Sequence, residues 1–274
     1  MQKEKLEILV ALMGLAADVI MKAKDSPIAR AIRGSGAYKA IYNTPPAYAF
    51  RYALSYFLIK NCMKEIAAQI EFSTEEELVD FSAKAGRGII APWQKRYEIT
   101  EFLKFLKQRN IKTFMEIGTA SGGTLFLLCR TLPQDAFGLS LDLPGTVFRE
   151  GYQTYKLPLY RSFARGEQKL EFIRADSHSP QTLERAHALL GGRKLDFLFI
   201  DGDHRYVGVK QDFEMYSPLV RRGGIVAFHD ITVNSEDGSV EVKKYWEEIK
   251  KSHKHLEIIN KGPEGSFGIG VLFF

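Results

Sequence analysis

Cysteine is scarce in this sequence: only Cys62 and Cys129 occur in 274 residues. Each lies inside an apolar helical pattern, so the two read as buried free thiols. That excludes a disulfide-stapled secreted scaffold and sets the expectation of a reducing, cytoplasmic location. Long apolar runs are also missing. The longest, Ile8 to Ala17, is ten residues bracketed by Glu7 and Asp18, about half of the ~20 a bilayer crossing needs. No small-residue cleavage site of a secretory leader accompanies it. There is no low-complexity segment and no internal repeat. The glycine pattern G-x-G-x-x-G is absent as well, which weighs against a dinucleotide-binding oxidoreductase.

What the chain does hold is ample core material, with 45% hydrophobic and 26% charged residues. Its net charge of +5 is concentrated at one end: residues 1–60 carry nine Lys and Arg against four acids, and the rest balances. Such a surface suits a membrane leaflet or an acidic partner, giving an expected peripheral membrane contact. The basic residues are dispersed and no nucleic-acid-binding motif accompanies them, so nucleic acid is not expected as a partner.

Residues 1–90 read as a helical annex. Ile8, Leu12, Leu15 and Val19 recur at amphipathic spacing, Pro45-Pro46 interrupts, and a helix rich in Tyr and Phe runs from Ala47 to Met63. That stretch has only Arg51 and Lys60 ionised, which predicts burial in a homodimer or higher homo-oligomer. Ser73 and Glu76 suggest a capping box, and Gly86 with Gly88 ends the helix it opens.

From about residue 91 to 274 the pattern alternates strand and helix. Strand-length runs cover Thr113–Ile117, Ala136–Leu141, Leu170–Arg174, Leu195–Ile200 and Gly224–Phe228. Two more, Leu256–Asn260 and Phe267–Phe273, suit a closing hairpin. The alternation predicts an α/β fold with a mostly parallel, doubly wound, seven-stranded sheet. Acids stand at or near each strand end: Glu116, Asp142, Asp176, Asp201 and Asp230, the last preceded by His229. Open α/β sheets bind ligands at that edge. The first strand enters "MEIGTASGGT", where Gly118 and Gly122 allow close backbone approach and Thr119 and Ser121 lead into a helix N-terminus. Asp142 follows at the distance of a ribose-binding acid, and Asp176-Ser177 can meet an exocyclic amine. "DFLFIDGDHRY" ends in Asp201, Asp203, His204 and Arg205. The plain alternative there is a strand-to-helix turn with Asp203 capping the helix.

Together these residues resemble the class I S-adenosylmethionine-dependent methyltransferases over roughly Trp93 to Phe274. Within that class, "FIDGDHRYVGVKQDFEMYSPLVRRGGIVAFHDI" is similar to a metal-dependent O-methyltransferase branch that acts on sugars and other natural products and includes the so-called cephalosporin hydroxylases. The resemblance implies a Rossmann-like fold. It implies S-adenosylmethionine on Glu116, Gly118, Thr119, Ser121, Gly122, Asp142, Asp176 and Ser177. It further implies a divalent cation, Mg²⁺ foremost with Mn²⁺ or Fe²⁺ competing, on Asp201 and Asp230, and His204 as general base. Relatives often carry Glu-Asp or Asp-Asn where this chain has His229-Asp230, so His229 stands either as a softer third ligand or as a packing residue. The expected reaction is methyl transfer to a hydroxyl of a small molecule such as a sugar or glycosylated natural product. A non-catalytic nucleotide-binding module and an NAD-dependent oxidoreductase remain the competing readings.

Overall fold

Five runs with β-branched and aromatic residues become the parallel strands of one sheet, four of them inside it and the more polar third at an edge. In the computed structural model, which describes residues 45–145, 152–233, 235–263 and 265–274, these are β1 (Thr113–Ile117), β2 (Phe137–Asp142), β3 (Lys169–Arg174), β4 (Leu195–Ile200) and β5 (Val220–His229). A hairpin of β6 (Lys254–Ile258) and β7 (Ile269–Phe273) completes seven strands in the order β3-β2-β1-β4-β5-β7-β6. The first five are parallel, and β7 enters antiparallel between β5 and β6. Every residue of β1 is buried, whereas edge strand β6 is exposed over its first four residues.

Alternation along β4 sends side chains to two faces. On one, Leu198 and Ile200 join the cluster made with Val209, Phe213, Tyr245 and Trp246. These come from α7 (Tyr206–Tyr216) and α8 (Val242–Ile249), while α6 (Pro180–Leu190) adds Ala186 and Leu190. On the other, Phe197 and Phe199 meet Phe102 at ring distances of 5.7 Å. Phe102 belongs to α3 (Arg96–Lys107), which lies beside α4 (Gly123–Thr131) on that face. A short α5 (Leu157–Arg161) precedes β3.

α1 (Pro45–Ala68) and α2 (Glu75–Gly88) come before this domain. Residues 45–70 with 84–89 group as one compact unit and 71–83 with 90–274 as a second. The expected helical pattern from Ile8 to Val19 lies outside the described residues. Two local expectations shift. The α2 cap is Thr74, whose hydroxyl accepts from Glu77 N at 3.1 Å while Glu77 accepts from Ser73 N at 2.8 Å; the box sits one residue past Ser73 and Glu76. β5 begins four residues before Gly224, because Val220 pairs with Leu195 and a register shift carries the charged Arg221 and Arg222 past the ladder, which resumes at Ile225. Among the described residues, no helix is long and apolar enough to cross a membrane.

Candidate active site

The carboxyl ends of all five parallel strands open into one cavity of about 680 Å³, within the usual size range for a small-molecule site. It straddles β1 and β4, where the strand order reverses, the point at which open α/β sheets bind ligands. Residues from β1, β2 and β3 line one half, and residues from β4 and β5 the other.

In the first half, β1 breaks into a loop that only particular residues permit. Gly118 has φ 89°, and a Cβ there would overlap the backbone carbonyl of Asp201. Gly122 has φ 87°, and its Cβ would run into the Tyr160 ring. The first contact brings the loop against the end of β4, and the second seats it on α5. Asp142 holds the same loop from β2: its Oδ2 accepts from Thr119 N at 2.9 Å and Ala120 N at 2.8 Å, and its Oδ1 from Leu143 N at 2.7 Å. Burial raises the Asp142 carboxyl above its usual range against those three N–H groups. Ser121 Oγ donates to Ala91 O at 2.8 Å, tying in the segment before α3. Asp176 and Ser177 border the cavity, and Asp176 Oδ1 accepts from His178 N at 3.0 Å.

Gly118, Thr119, Ser121, Asp142, Asp176 and Ser177 therefore line the cavity; Glu116 and Gly122 do not. Gly122 shapes the loop from behind. Glu116 is fully buried beneath it, with Ser140 Oγ at 3.4 Å and one carboxylate oxygen unpartnered. Desolvation, reinforced by Asp201 and Asp142, pushes its pKa up to about 8 against hydrogen bonds from Thr119 and Ser140. Alternation along β1 puts it on the same face of the sheet as Phe114, under the loop.

The second half gathers imidazoles and carboxylates. Asp201 directly follows β4, His229 ends β5 and Asp230 follows it; one ligand atom from each lies within 4.8 Å of the others. Asp230 takes a left-handed φ of 62°, an uncommon conformation that Asp tolerates better than most residues. His229 Nδ1 is 3.3 Å from Asp201 Oδ1 and 3.3 Å from Asp230 Oδ1. Burial would lower the His229 pKa, but Asp201, with hydrogen bonds to Asp201 and Glu98, raises it to about 10. Burial likewise opposes ionisation of Asp201, yet His229 and His204 hold its carboxyl at about 2. His204 bridges the two acids, with Nε2 3.4 Å from Asp201 Oδ1 and Nδ1 3.7 Å from Asp230 Oδ2. Its hydrogen bond to Asp201 raises its pKa against desolvation. Two carboxylates and an imidazole this close form a donor set that suits a divalent cation.

Asp203 does not cap α7. Its carboxylate turns back to accept from Arg205 N at 3.0 Å and pairs with the Arg205 guanidinium, and α7 has no side-chain cap. Two site residues escaped the sequence reading. Gln94 Nε2 donates to Asp201 Oδ2 at 2.6 Å, while its Oε1 accepts from Thr124 Oγ1 at 2.9 Å. Glu98, fully buried in the first turn of α3, meets His229 Nε2 at 3.0 Å. Glu98 shares the apolar face of α3 with Phe102 and Leu106; an acid four residues from a core aromatic was the available signal.

Residues 115–231, from β1 through the end of β5, match the profile of a methyltransferase domain family. The chain is similar to the tapetum-specific methyltransferase 1 of Arabidopsis thaliana, at 32% identity over 46% of this chain and 50% of that protein. It is also similar to the flavonoid 3',5'-methyltransferase of Vitis vinifera, at 29% identity over 57% and 63%. The chain spans between half and two thirds of the length of the curated relatives it matches. In fold it resembles an O-methyltransferase from Bacillus cereus solved in complex with SAH, with TM-score 0.50 and 17% identity over 77% of this chain and 96% of that one. A second match is a caffeoyl-CoA O-methyltransferase-like structure from Staphylococcus aureus, with TM-score 0.51 and 18% identity over 78% and 98%.

Proposed function

We propose that the chain carries a class I S-adenosylmethionine-dependent methyltransferase domain and that it is a divalent-metal-assisted O-methyltransferase of small hydroxylated molecules. One observation carries this reading: a single cavity joins the Gly118–Ser121 loop, Asp142 and Asp176 to the cluster of Asp201, His204, His229 and Asp230. A glycine-loop half with two acids therefore adjoins an acid-and-imidazole half across the β1–β4 switch point. The dinucleotide alternative fits less well, because antiparallel β7 stands where that fold has a sixth parallel strand. The acid cluster likewise argues against a module that only binds nucleotide.

In this reading the Gly118 loop accepts the nucleoside and amino-acid parts of S-adenosylmethionine, with Asp142 at the ribose and Asp176-Ser177 at the adenine. That cofactor supplies an electrophilic methyl group on sulfur. Asp201, His229 and Asp230 would hold the cation, whose chemistry is to bind hydroxyl oxygens and lower their pKa. With one imidazole in the set, Mn²⁺ and Fe²⁺ compete with Mg²⁺. His204, partly open to the cavity, takes the acceptor's proton at its ring nitrogen. Asp201 and Asp230 flank that ring and stabilise it once protonated. Gln94 keeps Asp201 turned toward the cluster. A donor set of this kind favours vicinal oxygens, so we assign a vicinal diol, as in a sugar or glycosylated natural product, as acceptor.

We further assign α1 to a homo-oligomer interface, and the basic residues 1–60 to an acidic surface such as a membrane leaflet. We also assign the chain a cytoplasmic location, a reading that the two buried, unpaired cysteines support. The direct test of the catalytic reading is methyl transfer from labelled S-adenosylmethionine to a panel of vicinal diols, with and without chelator. Turnover that needs neither cofactor nor cation would reject it.

A further inference from the structure

Glu98 comes from α3, outside the strands that build the rest of the cluster, yet its carboxylate is among the most heavily bonded groups in the domain. Oε1 accepts from Lys95 N at 2.7 Å and faces His229 Nε2 at 3.0 Å. Oε2 accepts from Ser266 Oγ at 2.5 Å, Phe267 N at 3.1 Å and Gly268 N at 2.8 Å. Three of the five partners are backbone N–H groups, which can only donate. An ionised carboxylate has about four acceptor sites and no donor. The surroundings of Glu98 are thus built for an acceptor, which requires His229 to donate from Nε2.

That requirement decides what the other side of the ring presents. With hydrogen on Nε2, a neutral His229 turns the Nδ1 lone pair toward Asp201 Oδ1 and Asp230 Oδ1, each 3.3 Å away. Asp201 already accepts from Gln94 on its other oxygen. The space between Nδ1 and the two carboxylate oxygens calls for positive charge, supplied either by a proton on Nδ1 or by a cation that takes that proton's place. A carboxylate behind a histidine is also the arrangement that orients imidazole ligands and strengthens them as donors.

We propose that Glu98 is the positioning residue that makes His229 a metal ligand, by holding Nε2–H and presenting Nδ1 to a divalent cation shared with Asp201 and Asp230. This rests on the metal reading of the site and adds to it a residue outside the cluster that sets the ligand's tautomer and angle. The same carboxylate anchors the 266–268 turn, whose Phe267 lines the cavity, so the cation site and one cavity wall share a support.

The test uses Mn²⁺ alone as probe, on the full chain without acceptor. Titration calorimetry gives Mn²⁺ affinity, and pulsed electron paramagnetic resonance of bound Mn²⁺ reports a directly bonded nitrogen. We expect the wild type to bind Mn²⁺ with one nitrogen coupling. Glu98→Gln should bind Mn²⁺ about 10–100-fold more weakly, the usual effect of removing such an outer partner, while S-adenosylmethionine affinity holds within about twofold. Ser266→Ala removes a donor to Glu98 without touching the imidazole, and should keep Mn²⁺ affinity within about threefold. Equal weakening in both variants would make Glu98 a turn anchor only and overturn the proposal. Bound Mn²⁺ without nitrogen coupling in the wild type would overturn it even if Glu98→Gln failed to fold. Absence of any Mn²⁺ binding in the wild type would instead remove the metal reading itself, and the proposal with it.

Discussion

Replacing Glu116 with Gln should change how stability depends on pH, and its burial sets the size of the change. The carboxyl is completely inaccessible, has one oxygen without a partner, and has a pKa raised from 4.5 to about 8 by desolvation, with Asp201 and Asp142 adding to it. Below pH 4.5 the group is protonated in both folded and unfolded chains. Between 4.5 and 8 the folded chain keeps a proton that the unfolded chain has released. Stability therefore falls as pH rises through that window, by about 1.4 kcal/mol per pH unit. From pH 5.5 to 8 the loss is about 3 kcal/mol, or roughly 6–12 °C in melting temperature for a domain of this size. Gln keeps the shape and cannot ionise, so Glu116→Gln should melt progressively higher than the wild type as pH rises. Melting both proteins by circular dichroism at pH 5.5, 7 and 8.5 and constant ionic strength isolates the effect, because titrating groups that do not interact with Glu116 cancel in the difference. A difference constant within about 2 °C across that range would mean Glu116 is ionised at neutral pH and compensated there.

Asp142→Ala should weaken S-adenosylmethionine binding by ~1.5–3 kcal/mol, the value of hydrogen bonds to a charged group; unchanged affinity in calorimetry would confine Asp142 to anchoring the loop. His204→Ala should retain Mn²⁺ and cofactor binding but lose ~10²–10⁴-fold in turnover, with part returning at high pH where the acceptor ionises unaided. A silent substitution would remove His204 from proton transfer. A chain that is monomeric by light scattering and ignores anionic vesicles would dismiss both roles assigned to α1 and the basic residues 1–60.

The sheet was legible because its signal is local and redundant. Each inner strand is an apolar run, each is followed by a helix, and an acid stands at or near each strand's end, so a one-residue error at a boundary leaves the topology intact. Thr113–Ile117 and Leu195–Ile200 match β1 and β4 residue for residue. The α2 cap was misplaced by one because Ser73 and Thr74 are both good caps, each with a Glu three residues on. Only the backbone N–H geometry selects Thr74. Asp203 was open to misreading for a similar reason: an acid before a helix suits a cap, but Arg205 two residues later competes for the carboxylate.

The acid and imidazole cluster was legible only on its strand side. Asp201, His204, His229 and Asp230 stand out because charge at the end of a buried strand is costly and calls for a reason. Glu98 and Gln94 carry no such mark. They lie 103 and 107 residues before Asp201, Glu98 on a helix whose own periodicity explains it as amphipathic and Gln94 just ahead of it, and sequence spacing cannot say which strand end that helix reaches. The packing of Phe102 on Phe197 and Phe199 is what brings the first turn of α3 to the end of β5. Whether His229 is a ligand or a packing residue was therefore undecidable from its neighbours in sequence. The structure sharpens that question into one about which ring nitrogen carries hydrogen, and Glu98, in the segment between annex and sheet, faces the far one. A strand-end histidine in such a fold is best judged by what faces its far nitrogen. An acceptor there turns the near nitrogen into a donor toward a cation, whereas a backbone N–H there would have made His229 an acceptor on that side and left Asp201 and Asp230 to face a ring N–H.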